Sequence, residues 1–274
     1  MLLSELCLQQ TQATRAAVVY ERCRERFPTP RACADAPRSA VLEAWAGLGY
    51  YRRARALHEA AGAIVEFHDG NVPDDLSALL ALPGVGPYTA RAVLAFAFER
   101  DVAVVDTNVA RVLARAVANR PLRAKEAQSL ADELVPPGRG WTHNQAMLDL
   151  GALHCKATPT CGGCPLRRTC RWRRAGGIAP DPATRSAGVS RPQPRYEGSD
   201  RQGRGRLLAA VTRAPVRASD VACAAGWTSD PERAARIADA MVAEGLLRRT
   251  GGTLRLEDRD ATSLSVSGTP RPRH

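Results

Sequence analysis

Glu5 lies in "LSELCLQQTQ" with Leu2, Leu3, Leu6 and Leu8 around it. Burial among leucines penalises the charged form of a carboxylic acid, so the proton is held more tightly, which suits a general acid. The plainer reading of the same spacing is an exposed glutamate on an amphipathic helix. Asp106 closes the apolar stretch "DVAVVD", immediately before a helix. It is either a second working carboxylate or an ordinary N-cap. Gln9, Gln10 and Gln12 are long, uncharged hydrogen-bonding groups of a kind that can probe a base stack.

"CKATPTCGGCPLRRTC" sets Cys155, Cys161, Cys164 and Cys170 within residues 155–170 of a chain that has 8 cysteines. Disulfides, zinc and an iron–sulfur cluster are the candidate uses. The start, "MLLSELCLQQTQ", has no charged segment ahead of a long apolar run, and no stretch has membrane-spanning length. These features point to a cytoplasmic chain with no membrane partner, where thiols stay reduced. Four cysteines then suit a tetrahedral zinc or an iron–sulfur cluster. Zinc more often takes two paired knuckles, and here one is present, Cys161 to Cys164. The remaining Cys7, Cys23, Cys33 and Cys223 stand among apolar neighbours and are expected to be small core residues.

Two further stretches concern a polyanion. In "LPGVGPYTA" a helix runs into proline and glycines, and a second helix starts at once. Gly84 and Gly86 allow the sharp turn, and a helix start favours anions such as a DNA phosphate. A plain helix–turn–helix connection reads the same way. "WAGLGYYRRARAL" places Trp45, Tyr50 and Tyr51 ahead of arginines, so aromatic faces can stack on bases while guanidinium groups hold phosphates. Tyrosines packed in a core are the alternative. The net charge of +11, carried mainly by arginine, fits a nucleic-acid partner.

The elements that must position these residues are helical. Three-to-four spacing of apolar residues runs through "LSELCLQQTQATRAAVVYERCRERF", "RSAVLEAWAGLG", "YRRARALHEAAGAIVEFH", "DDLSALLAL", "PYTARAVLAFAF", "TNVARVLARAVA", "AKEAQSLADELV" and "THNQAMLDLGALHC". "DVAVVD" is extended but too short to imply a sheet. The texture changes near Arg171, where a Pro-, Gly-, Ser- and Arg-rich stretch predicts a linker over 172–199. Three helices and a hairpin about Gly251–Gly252 predict a winged-helix-like module over 200–258, with a disordered tail over 259–274.

The motifs "LSELCLQQTQ", "WAGLGYYRRARAL", "LPGVGPYTARAV", "VVDTNVARVLAR", "NQAMLDLGALHC" and the cysteine cluster occur in one order across residues 2–170. In that order they resemble the adenine DNA glycosylase family of the helix-hairpin-helix DNA glycosylase superfamily. The resemblance implies an all-α, two-lobed helix-hairpin-helix core over 1–171 with an iron–sulfur loop at 155–170. It implies excision of adenine mispaired with guanine or 8-oxoguanine from double-stranded DNA in base excision repair, by a nucleoid-associated monomer. Glu5 matches the general acid, Asp106 the carboxylate that stabilises the sugar cation, and Tyr88 a tyrosine that hydrogen-bonds between them. Asn108 and Gln145 match polar residues near the aspartate and the extruded adenine. Gln10 and Tyr50 match residues that enter the helix near the mispair. Cys155, Cys161, Cys164 and Cys170 match the ligands of a [4Fe–4S] cluster, a structural clamp whose loop presents Arg167 and Arg168 to DNA.

Tyrosine at position 88, where glycosylase/lyases of the superfamily carry a Schiff-base lysine, implies a monofunctional enzyme. The chain departs from the family in three places. The gap from Cys155 to Cys161 holds 5 residues, "KATPT", one fewer than usual. The family's segment ahead of the "SE" motif is missing, which predicts a misassigned start or a truncation. A Nudix-like C-terminal domain is not recognisable. Two other functions stay open at this point: a thymine or damaged-pyrimidine glycosylase, and a catalytically impaired DNA-binding protein.

Overall fold

The computed structural model describes residues 1–186 and 195–257. The expected disordered tail and residues 187–194 of the expected linker lie outside the described residues. In chain order the helices are α1 (Leu2–Leu8), α2 (Ala13–Arg26), α3 (Pro30–Ala34), α4 (Arg38–Ala44), α5 (Arg52–Phe67), α6 (Leu76–Ala81) and α7 (Pro87–Ala97). They continue with α8 (Thr107–Val112), α9 (Ala124–Glu133), α10 (Gly140–Leu153), α11 (Arg171–Arg174), α12 (Asp200–Arg213), α13 (Val221–Ala225) and α14 (Pro231–Ala243). The strands are β1 (Val216–Arg217), β2 (Leu247–Thr250) and β3 (Thr253–Leu256). No helix among the described residues is long and apolar enough to cross a membrane.

The described residues fold as two units, one of residues 1–6 and 72–186, the other of residues 7–71 and 195–257. In the first, Asp75 caps α6 by accepting from the Ala78 amide at 2.9 Å, and α6 packs on α7. The turn between them needs a left-handed residue, which Gly84 supplies at φ +76. Gly86 does not share that role: its φ is −96, and it serves as the N-cap of α7 with Pro87 behind it. α8 continues directly into a π-helical segment, Leu113–Ala118, that ends at Asn119 in the left-handed region. Ala103, Val109, Leu113, Ala114, Leu122, Ala127 and Ala131 form a buried cluster under this turn and α9. The region expected to be linker is folded at its start, with α11, a 3-10 turn over Pro182–Arg185, and a buried Ala183.

The apolar stretch before Asp106 pairs with no strand, yet it lies inside the unit. Side chains satisfy its backbone instead. The Ala103 amide donates to Asp132 at 3.0 Å and the Val104 amide to Asn144 at 2.7 Å. Asn144 returns a donor to the Val102 carbonyl at 2.8 Å, and Arg91 and Gln128 donate to the Ala103 carbonyl at 3.2 and 3.1 Å.

In the second unit α5 buries Ala54, Leu57, Ala60, Ala61 and Ile64 against α3 and α4. The long repeat that opens the chain breaks between α1 and α2, because Gln10 takes a left-handed conformation at φ +55 and Gln12 becomes a new N-cap. α12, α13 and α14 pack with a three-stranded antiparallel sheet of order β1-β3-β2. The β2–β3 hairpin about Gly251–Gly252 follows the sequence expectation, whereas the third strand, β1, pairs only two residues and carries no periodicity to announce it. Cys7, Cys23 and Cys33 are buried as expected, but Cys223 is exposed because its position on the short α13 faces solvent.

Candidate active site

Glu5, Tyr88 and Asp106 come together in the first unit from three separate elements. Glu5 is buried, 7% exposed, with Leu2 and Leu6 buried on the same helix. Burial therefore decides against the exposed-helix reading and raises the Glu5 carboxyl above its ordinary range, while the chain's N-terminal charge pulls it partly back. Tyr88, on the first turn of α7, has its phenol pushed up by burial and then by the negative charges of Glu5 and Asp106. One phenol thus feels both carboxylates, which places them around a common point.

Asp106 takes the N-cap position and keeps its second carboxylate oxygen for a side chain. Its Oδ1 caps α8 by accepting from the Val109 amide at 2.8 Å. Its Oδ2 accepts from Asn108 Nδ2 at 2.7 Å. The Asn108 amide cannot be reversed, because a carboxylate only accepts and a guanidinium only donates. Its Oδ1 accepts from Arg111 Nη2 at 2.7 Å. Arg111 also donates to the carbonyls of Gly151 at 3.1 Å and Cys155 at 2.7 Å. A continuous polar chain therefore runs from the Asp106 carboxylate to the first residue of the cysteine loop. α10 comes so close beneath it that a Cβ on Gly151 would stand 2.5–2.7 Å from Asn108 atoms.

Cys155, Cys161, Cys164 and Cys170 are all free and half-buried, and all four line one cavity with Arg115, Arg167, Arg173 and Trp172. Among the described residues, no three His, Cys, Asp or Glu side chains stand close enough to enclose a single metal ion. Arg115, 2% exposed, organises the loop. It donates to the Lys156 carbonyl at 2.6 Å, the Ala157 carbonyl at 2.9 Å and the Cys155 sulfur at 3.4 Å, and its Nε reaches Asp181 at 2.9 Å. Four thiols facing one cavity beside three guanidinium groups fit an anionic cluster, whose charge the arginines offset. A wider cleft of about 1110 Å³ lined by Arg120, Arg123, Lys125 and Arg185 holds none of the expected residues.

Residues 3–137 match the family described as HhH-GPD superfamily base excision DNA repair protein. Over 254 residues the chain is 42% identical to the adenine DNA glycosylase of Mycolicibacterium smegmatis, covering 91% of this chain and 84% of that one. The chain belongs to the adenine DNA glycosylase family. The human adenine DNA glycosylase is 41% identical over 178 residues, 62% of this chain and 33% of that one. A thermostable thymine-DNA glycosylase superposes with a TM-score of 0.58 at 29% identity, covering 64% of this chain and 83% of that one. A trapped endonuclease III–DNA covalent intermediate gives 0.57 at 27%, covering 65% and 84%.

The other expected residues of this adenine DNA glycosylase relative divide between the units. Gly84, Gly86, Asn108 and Gln145 lie in the first, where Gln145 is half-buried and donates to Asp149 at 2.9 Å. Gln10 and Tyr50 lie in the second, both left-handed, at φ +55 and +50. Arg53 gathers them. It donates to the carbonyls of Cys7 at 3.0 Å and Gln9 at 2.6 Å and to the Thr11 hydroxyl at 3.1 Å, while its guanidinium lies 5.2 Å from the Tyr50 ring centroid. Tyr51 is buried, so of the two tyrosines it is the core residue. Sequence reading missed Arg53, Arg111, Arg115, Asn144 and Asp181. An arginine in a chain this basic carries no mark of burial, and Asn144 is distinguished only by where α10 places it.

Proposed function

We propose that the protein removes adenine mispaired with guanine or 8-oxoguanine from duplex DNA, as a monofunctional hydrolase. What supports this reading is a buried Glu5 and a capped, Asn108-held Asp106 near Tyr88, whose phenol is raised by burial and then by the charges of both carboxylates. The adenine leaves the stack first, because its glycosidic bond is inaccessible within the duplex. Protonated Glu5 donates to the adenine ring, and the base departs with the bonding pair of the N-glycosidic bond. The Asp106 carboxylate stabilises the positive sugar and orients water, whose oxygen bonds to C1′ as its proton passes to the Glu5 carboxylate left ionised by the first step. Tyr88 bridges the two acids and, lacking an amine, forms no Schiff base. Asn108 holds Asp106, and Gln145 contacts the extruded base.

Gln10 and Tyr50 enter the duplex beside the mispair. The hairpin at Gly84 and Gly86 takes a DNA phosphate at the start of α7, where a glycine N-cap brings no side-chain oxygen to compete. Cys155, Cys161, Cys164 and Cys170 hold a [4Fe–4S] cluster, which when bound clamps the loop carrying Arg167 and Arg168. The 5-residue gap before Cys161 accommodates it by adjusting "KATPT". The C-terminal helices and sheet form a winged-helix-like module over 200–258, joined to the 1–171 core through 172–199. The protein acts as a cytoplasmic, nucleoid-associated monomer.

A duplex with one adenine opposite guanine or 8-oxoguanine, treated with enzyme and then alkali, tests the reading. Adenine-dependent strand breaks are expected, with no break before alkali. Asp106→Asn keeps an oxygen to cap α8 and should lose about 100-fold or more in single-turnover rate. Breaks opposite thymine in place of adenine, or full activity in Glu5→Gln, overturn the proposal.

A further inference from the structure

Arg201 is the second residue of α12, far along the chain from Tyr50, yet both lie in one unit and meet. Its Nη1 donates to the Tyr50 hydroxyl at 2.5 Å. Its guanidinium carbon lies 5.5 Å from the Tyr50 ring centroid and 5.1 Å from that of Tyr196. An arginine set against two aromatic rings gains from the ring quadrupoles while its N–H groups donate in the guanidinium plane.

The mount of this arginine is firm. Ser199 caps α12 through the Gln202 amide at 3.3 Å. One turn further on, Arg204 pairs with Glu244, which also takes Arg52 at 3.1 Å. α12 therefore lays Arg201 and Arg204 along the segment Tyr50–Arg52, one acting on the ring and one through a shared carboxylate. The segment itself is under tension: Tyr50 holds φ +50, in the left-handed region that a residue with a side chain rarely adopts. A half-buried tyrosine hydroxyl is satisfied by water and needs no partner for folding. The contact with Arg201 fixes a ring direction that the strained backbone and Arg53 leave incomplete.

We infer that Arg201 is a positioning residue for Tyr50, through which the C-terminal module sets the aromatic side chain that enters DNA. This rests on the reading that Tyr50 contacts DNA beside the mispair. Its consequence is discrimination: a ring held in one direction enters at an unstacked mispair and is rejected by fully paired duplex.

The full-length protein, with Arg201→Ala, Tyr50→Phe and the pair combined, tests this by Kd for a duplex with adenine opposite 8-oxoguanine and for the same duplex fully paired. Arg201→Ala should lower the ratio of the two by about tenfold, the order of one charged hydrogen bond. Tyr50→Phe keeps the ring and removes the acceptor, so the double variant should lose no more than the larger single effect. Arg201→Lys should recover only part, since an ammonium has no planar fork. In multiple-turnover assays the Arg201→Ala loss should fall on KM rather than kcat. Parental discrimination in Arg201→Ala, or additive losses in the double variant, overturn the inference. An absence of adenine release from the parent protein sinks the functional reading alone, because the binding ratio remains measurable.

Discussion

Asn108 donates one hydrogen bond to the Asp106 carboxylate at 2.7 Å and accepts another from Arg111 at the same distance. Arg111 in turn closes on the carbonyls at the end of α10 and the start of the cysteine loop. The carboxylate keeps its helix-capping bond whatever happens to this chain, so geometry and capping can be separated. Arg111→Ala should leave α8 formed and lower the single-turnover rate of adenine release by roughly tenfold or more, because a shift of about 1 Å in a catalytic group is felt strongly. Asn108→Asp should do worse, setting a second negative charge against the first. Rates read beside far-ultraviolet circular dichroism distinguish this from unfolding.

Glu5 gives a pH dependence with a definite sign. Its folded carboxyl sits above the ordinary value because burial opposes ionisation. With the protonated acid as the proposed working form, the rate should fall as pH rises through that raised value, and Glu5→Gln should abolish the limb with the activity. Stability follows the same linkage. The native state holds the Glu5 proton more tightly than the unfolded chain, so ionisation at neutral pH weakens the fold. Glu5→Gln should therefore have a Tm at or above the parent at neutral pH. The difference should close as pH falls toward about 4.3, the ordinary glutamate value.

Gly151 is held by contact rather than by backbone conformation. A methyl group there would meet the Cβ, carbonyl carbon and carbonyl oxygen of Asn108 at 2.5–2.7 Å, none of which is a flexible side-chain end. Gly151→Ala should destabilise by about 1–3 kcal/mol through overpacking, and displace Asn108 from Asp106. Denaturant unfolding gives the first effect. A rate loss exceeding that of an equally destabilising core substitution such as Leu113→Ala gives the second.

Arg115 and Asp181 join the cysteine loop to the short turn at Pro182–Arg185. Arg115→Met would strand the Lys156 and Ala157 carbonyls and leave Asp181 unpaired, a loss of roughly 3–5 kcal/mol for a broken buried pair. Iron per protein and visible absorbance of purified Arg115→Met should both fall, whereas Arg168→Ala, on the same loop, should leave them unchanged. Equal iron content in both variants would show that Arg115 does not organise the loop.

Helix positions along the first 170 residues were legible because apolar spacing of three to four was dense and its boundaries were marked by Asp75, Gly84 and Pro87. Glu5 and Asp106 were legible as carboxylates in unusual company, and the motif order supplied their pairing. The break at Gln10 was not, since glutamine has no turn signature and the left-handed conformation comes from what Arg53 and the neighbouring loop require. Strand β1 escaped notice for a similar reason: two residues have no period, and their partner strand lies far along the chain. The arginines that set the site, Arg53, Arg111 and Arg115, are chemically the same as those facing solvent. Only the carbonyls converging on them in the folded chain tell them apart.

Gln10 and Tyr50 occupy backbone conformations that glycine would adopt without cost. A chain selected for thermal endurance alone would place glycine at both positions and fold more comfortably for it. If both side chains enter DNA as proposed, keeping them on a reluctant backbone gives up stability locally for reach. Variant libraries screened by melting temperature should thus enrich replacements at these two sites that a screen for repair would discard.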